Sequence, residues 1–272
     1  MLGWSIKLFR VFGIRLAVHV SFFLLLAYVA WTGWMESRWL GAAWMCAAVV
    51  GLFVCVVLHE LGHSLTARRF GIRVSRILLL PIGGMAEFDY IPREPRQELL
   101  VTAAGPAVNF VLALVTYPFL PVPLSALVTD LFDTTPAVNT APPTLPEFFI
   151  LLWVMNLVMG CFNLLPAFPM DGGRILRALL ALRWPYLKAT FWAATIGKVI
   201  AVAAALFCGF VLHAYLPAVL FTFILITGDV EYRAVKRREQ AAEQWNRVLR
   251  RLYGPLSEGK TDLPSTLLHG PN

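Results

Sequence analysis

Two imidazoles four residues apart with a carboxylate between them offer the clearest chemistry in this chain. They form His59-Glu60-Leu61-Gly62-His63, directly after the apolar run Gly51-Leu52-Phe53-Val54-Cys55-Val56-Val57-Leu58. On a helix, positions i and i+4 share a face, so His59 and His63 can hold one ion, and neutral imidazole nitrogen suits zinc. Glu60 then stands beside the metal, where a carboxylate can take a proton from an attacking water and later return it to the leaving amine. That is metal-assisted peptide hydrolysis. A pair of packed core histidines is the bland alternative, but three ionisable groups in five residues at the end of so apolar a helix are costly unless they line a polar cavity.

A catalytic zinc usually takes three protein ligands and keeps one position open. The candidate for the third is Asp171, in Asn163-Leu164-Leu165-Pro166-Ala167-Phe168-Pro169-Met170-Asp171-Gly172-Gly173. Two prolines break the helix there, and the glycine pair permits the positive φ values of a tight reversal, so Asp171 is expected on irregular backbone at the membrane edge, lining a cavity. Its carboxylate could complete the zinc site or cap a helix beginning near Arg174. Cys46, Cys55, Cys161 and Cys208 have no close spacing, which indicates neither a disulfide framework nor a thiolate site, although Cys55 lies one turn before His59 and could approach a metal. His19, His213 and His269 lack a spaced partner and read as structural or exposed.

The elements that must position these residues are read from composition. The 272 residues are 58% hydrophobic and 14% charged, with a mean hydropathy of +0.69, outside the range of soluble domains. The fold class expected is a polytopic α-helical membrane protein. It has about six transmembrane helices, at 17–34, 39–58 (continuing to about 69), 99–120, 148–165, 190–209 and 211–228, and a small β-hairpin or sheet on the cytoplasmic side. The net charge of +7 reports topology rather than nucleic-acid binding: 21 of the 23 Lys and Arg lie in alternate connections, the exceptions being Arg38 and Lys198. The 121–147 connection has none, so both termini are expected in the cytoplasm. No compact apolar core with a cleavage site precedes the first span, so no cleaved leader is expected.

Between the second and third spans, residues 73–88 are β-branched and leucine-rich but too short to span, and read as strand, turn, strand. Gly83 and Gly84 supply a tight turn or let another backbone approach. Ile14, Leu16 and Val18 alternate in the same way and can add strands beside them. Asn109, one turn into the third span, could bond another helix, with Gly105 as a packing residue.

The set His59-Glu60-Leu61-Gly62-His63, Gly105-Pro106-Ala107-Val108-Asn109 and Phe162-Asn163-Leu164-Leu165-Pro166 with Met170-Asp171-Gly172 resembles the signature of the site-2 protease family, intramembrane zinc metalloproteases, and within it the sporulation-protease-like branch lacking an added regulatory domain. The similarity runs from Gly13-Ile14 to about Arg177. It implies zinc, one per chain, held by His59, His63 and Asp171, with Glu60 as catalytic acid and base. Asn163 matches an asparagine acting near the reaction centre, Asn109 one that positions substrate or supports the site, and Gly83 and Gly84 an edge strand able to pair with an unwound substrate. The partners implied are a transmembrane substrate, the lipid membrane and a regulatory membrane protein; the location implied is a multi-pass protein of a bacterial-type cell membrane.

Two parts are expected: residues 1–228 as the intramembrane metalloprotease domain, and 229–272 as a basic cytoplasmic tail, partly an amphipathic helix that could rest on anionic lipid or pack on the body of the protein. Roughly 45 tail residues and a short 121–147 loop leave little room for a further domain. A zinc transporter or metal sensor, and an inactive scaffold of the same fold, are the rival readings. Glu60 beside the first histidine counts against both, because neither needs an acid there.

Overall fold

The computed structural model describes residues 4–90, 92–121 and 144–253. The order of elements is β1 (Ser5–Val11), β2 (Ile14–His19), α1 (Val20–Arg69), β3 (Val74–Leu80), β4 (Gly83–Phe88), α2 (Pro95–Thr116), α3 (Leu145–Asn163), α4 (Asp171–Ala181), α5 (Tyr186–Leu206) and α6 (Tyr215–Tyr253). The 121–147 connection and the end of the basic tail, with His269, fall largely or wholly outside the described residues.

α1 is two helical arms joined at a sharp reversal. Ser37 (φ −139°) and Arg38 (φ 54°, ψ −134°) leave helical values, and Phe22 meets Phe53 edge to face with ring centroids 4.5 Å apart. In a straight helix those residues would be about 46 Å apart at 1.5 Å per residue, so the chain folds back on itself. Glycine makes the reversal tight enough: a Cβ on Gly33 would lie 2.3 Å from the Gly41 carbonyl oxygen, and one on Gly41 2.1 Å from that of Gly33. Arg38, one of the two cations outside the charge pattern, sits at this reversal over the Trp34 ring. The other, Lys198 on α5, pairs with Asp229 on α6 at 2.8 Å.

Among the described residues, four helices are long and apolar enough to cross a membrane: Val20–Arg69, Pro95–Phe119, Leu145–Asn163 and Tyr186–Val211. On the third of these, burial is inverted relative to a soluble bundle. On α3 the buried residues are Asn156 and Gly160, while the Leu, Val, Ile and Phe side chains are half-buried or exposed. An apolar helix that turns its amide inward has hydrocarbon as its solvent. After α5 a turn through Phe207–Val211, with His213 at φ 51°, leads into α6. That helix runs unbroken past residue 228, so the start of the basic tail is helical, and Ile224 and Val235 are buried.

The sheet is four-stranded in the order β1-β2-β3-β4, with β2 and β3 parallel and the outer pairs antiparallel. Ile14, Leu16 and Val18 of β2 and Ile77 and Leu79 of β3 alternate onto α1, where they meet Phe22, Phe53 and Leu61. β2 and the β3–β4 hairpin follow the alternation in the sequence. β1 was not expected; its residues are mostly exposed, so no buried stripe marks it. The sheet leaves β4 as an edge strand lying along the second arm of α1.

Candidate metal centre

The second arm of α1 brings His59 and His63 onto one face, with Nε2 atoms 3.0 Å apart. Asp171 Oδ2 lies 3.2 Å from each of them. Ligand atoms about 2.0–2.2 Å from one tetrahedral zinc are roughly 3.3 Å apart, so the triangle has the size of a single ion's coordination shell. Asp171 Oδ2 is also buried without a hydrogen-bond partner, a cost that a cation would remove. Two imidazoles and one carboxylate make a zinc-type donor set, and among the described residues they form the group able to hold a metal. Cys55 does not join it: its Sγ lies 3.1 Å from Asn156 Nδ2.

Both candidate histidine ligands are held from behind. His63 Nδ1 is 2.8 Å from the Val101 carbonyl oxygen, which can only accept, so Nδ1 donates and the lone pair of Nε2 faces the other donors. His59 Nδ1 is 2.5 Å from Asn109 Oδ1. Asp171 is the first residue of α4, after the turn at 164–170. The glycines after it serve by size and not by positive φ. A Cβ on Gly172 would lie 2.2 Å from the Leu165 carbonyl oxygen and one on Gly173 2.7 Å from Ala167 C, whereas among the described residues the positive-φ glycines are Gly13, Gly71 and Gly83.

The donors open on a cleft of about 630 Å³ that also holds Glu60, Asn163 and Arg174, with Gly84 to Phe88 of β4 along one wall. Gly84 lies against the catalytic candidate, since a Cβ there would meet Glu60 Cγ at 2.8 Å. Glu87 in that wall accepts two hydrogen bonds from Arg76, at 2.8 and 2.7 Å, and the guanidinium holds its carboxyl below the usual carboxylate range.

Residues 47–204, taking in the whole of this cluster, match the family model described as peptidase family M50. The chain belongs to that family, the site-2 proteases. Its relatives include a zinc metalloprotease of Methanocaldococcus jannaschii, 38% identical over 86% of this chain and 62% of its own length. Another is stage IV sporulation protein FB of Bacillus subtilis, 27% identical over 93% of this chain and 77% of that protein. A putative zinc metalloprotease of Mycobacterium tuberculosis is 30% identical over 72% of this chain and 49% of its own length. The chain thus spans under two thirds of the archaeal and mycobacterial relatives. Among solved structures, the site-2 protease from Methanocaldococcus jannaschii superposes with a TM-score of 0.54 at 37% identity, over 84% of this chain and 95% of that one.

Of the M50 residues expected from sequence, His59, His63 and Asp171 converge, Glu60, Asn163 and Gly84 line the cleft, and Asn109 touches His59. Gly83 stands apart. It has φ +138° at the hairpin turn, and nothing lies within 4 Å of where its Cβ would be. Sequence reasoning missed three contributors. Gly105 is more than packing, because a Cβ there would lie 2.2 Å from His63 Nε2 and 2.8 Å from His59 Cε1. Val101 acts through its backbone, which no side-chain pattern announces. Asn156 could have been found, as a lone amide in an apolar span.

Proposed function

We propose that this chain is a zinc-dependent intramembrane endopeptidase that cuts a peptide bond within or beside a transmembrane segment of a membrane-protein substrate. What carries the reading is the convergence of His59, His63 and Asp171 to 3.0–3.2 Å of one another, in a cleft that also holds Glu60 and runs along an edge strand. His59, His63 and Asp171 would hold one zinc per chain, which when bound would lower the pKa of a water toward about 7 and polarise a scissile carbonyl. Glu60 takes the proton of the attacking water and delivers it to the departing amine nitrogen. β4 offers unpaired backbone groups to an unwound substrate segment, which lies extended beside Gly84. Gly83 sets the turn from which that edge begins, and Asn163 faces the reacting peptide.

The reading includes six spans: the two arms of α1, then α2, α3, α5 and the apolar first half of α6. Both termini lie on the cytoplasmic side of a bacterial-type cell membrane, where a second membrane protein regulates cleavage. Zinc content per purified chain is the first test, because it requires no knowledge of the substrate. About one zinc is expected in the parent and in Glu60→Gln, with marked loss in His59→Ala and Asp171→Ala. Zinc retained after both ligand removals overturns the site. Cleavage by Glu60→Gln at the parent's rate overturns the acid–base role.

A further inference from the structure

Behind His59, away from the cleft, two buried asparagines on different helices form a line of hydrogen bonds that ends on the imidazole. We propose that Asn156 is a positioning residue which acts through Asn109 to fix the ring nitrogen that His59 presents to the metal. The inference rests on the reading of His59 as a zinc ligand and adds to it a third helix, α3, as the source of the ring's orientation.

Each link has a direction, and one backbone group sets them all. Asn156, 1% exposed, lies 2.8 Å from the carbonyl oxygen of Leu152, one turn earlier on α3. A carbonyl oxygen only accepts, so the Asn156 atom facing it is the amide nitrogen, whose other hydrogen points at Cys55 Sγ, 3.1 Å away on α1. Asn156 Oδ1 therefore faces α2, where it lies 3.0 Å from Asn109 Nδ2 and accepts from it. Asn109, fully buried, then has Oδ1 on its far side, 2.5 Å from His59 Nδ1. An acceptor at that distance requires N–H at Nδ1. Neutral imidazole carries a single N–H, so the lone pair is left on Nε2, the atom that meets Asp171 and His63. Turning either amide over would set oxygen against oxygen where no water can intervene, so the pair has one stable orientation.

Asn109 alone would not suffice. Its amide could face His59 with either end, and with NH₂ forward it would select the Nδ1 lone pair and spoil the ligand. Asn156, tied to the Leu152 carbonyl, removes that freedom. His63 has no need of such a relay, because its Nδ1 meets a backbone carbonyl directly. The two histidines thus reach the same tautomer by different routes, one through the main chain and one through three spans.

Two measurements on the detergent-purified full chain test this. The first is zinc affinity by chelator competition, and the second is the ¹⁵N spectrum of the histidine rings in the metal-free protein, which distinguishes N–H at Nδ1 from N–H at Nε2. Asn156→Leu is expected to weaken zinc about 10- to 100-fold and to redistribute the His59 signal between tautomers. Asn156→Ser, too short to reach Asn109 but easier to accommodate, is expected to do the same should the leucine variant misfold. Asn156→Asp, neutral in so apolar a place, keeps a donor for Leu152 and an acceptor for Asn109, so it is expected to hold zinc within a few-fold of the parent. In Asn109→Leu, adding Asn156→Leu should cost nothing more, since the relay is already cut. A folded Asn156→Leu or Asn156→Ser protein with the parent's affinity and ring spectrum overturns the relay alone. A parent that takes up no zinc overturns the metalloprotease reading on which it rests.

Discussion

At the scale of single residues, the absence of a side chain at Gly105 matters as much as the presence of the ligands. A methyl there would lie 2.2 Å from His63 Nε2 and 2.4 Å from its Cε1, so both imidazoles would have to leave their positions. Alanine is otherwise the better helix residue by about 1 kcal/mol, which separates the two effects. Gly105→Ala is expected to lose most of its zinc while its metal-free thermal midpoint stays near the parent's. Equal zinc content in the two proteins would show that the rings do not depend on this gap. The histidines and Glu60 were legible in the sequence because a helix period of 3.6 forces residues four apart to meet, whatever the rest of the chain does. Asp171 was legible as a candidate only, since its nearness to them depends on a turn more than a hundred residues away. The contacts of Gly105, Val101 and Asn156 are set by how helices approach, and single-chain periodicity carries no information about that.

Among the elements, α4 is held by a side chain that takes no part in the chemistry. Arg177 lies on the same 11-residue helix as Asp171 and is 1% exposed. It donates to Glu98 Oε1 on α2 at 2.9 and 2.5 Å and to Glu231 on α6 at 2.8 Å, between the rings of Phe168 and Tyr186. One residue thus ties the start of the apolar core to the start of the basic tail, through the helix that delivers Asp171. Removing one member of a buried pair strands the other charge, at a cost of about 3–5 kcal/mol. Arg177→Met should therefore lower the unfolding midpoint in detergent sharply and reduce zinc uptake in whatever protein stays folded. Glu231→Gln, at a side chain 30% exposed and still able to accept, should cost about 1 kcal/mol or less. Similar small losses in both variants would mean that α4 is held by packing instead. In the sequence, Arg177 reads as one more cytoplasmic cation. Its charge was legible and its burial was not, because the groups that neutralise it come from elements 79 and 54 residues distant.

For the whole molecule, the proposed activity poses one difficulty, to bring water and an extended peptide together inside a lipid solvent. Composition alone revealed the solvent, and the inverted burial of α3 agrees, but the substrate is not written in these side chains. The fold does constrain it: an edge strand can pair only with backbone groups that have left their own helix. Under the proposed activity, unwinding precedes cleavage and its cost adds to the barrier. Each glycine replaced by alanine in a helix stabilises it by roughly 1 kcal/mol. Two such replacements at the cut site of a transmembrane substrate should then slow cleavage by about 30-fold at saturating zinc, while a substitution a full turn outside the unwound segment should leave the rate nearly unchanged. Initial rates in proteoliposomes measure this directly. If helix-forming and helix-breaking substrates are cut at one rate, unwinding is not limiting and β4 does not select its substrate by waiting for an open backbone. If the rates follow helix propensity, the strand edge and the zinc site act as one device, the first admitting only what the second can hydrolyse.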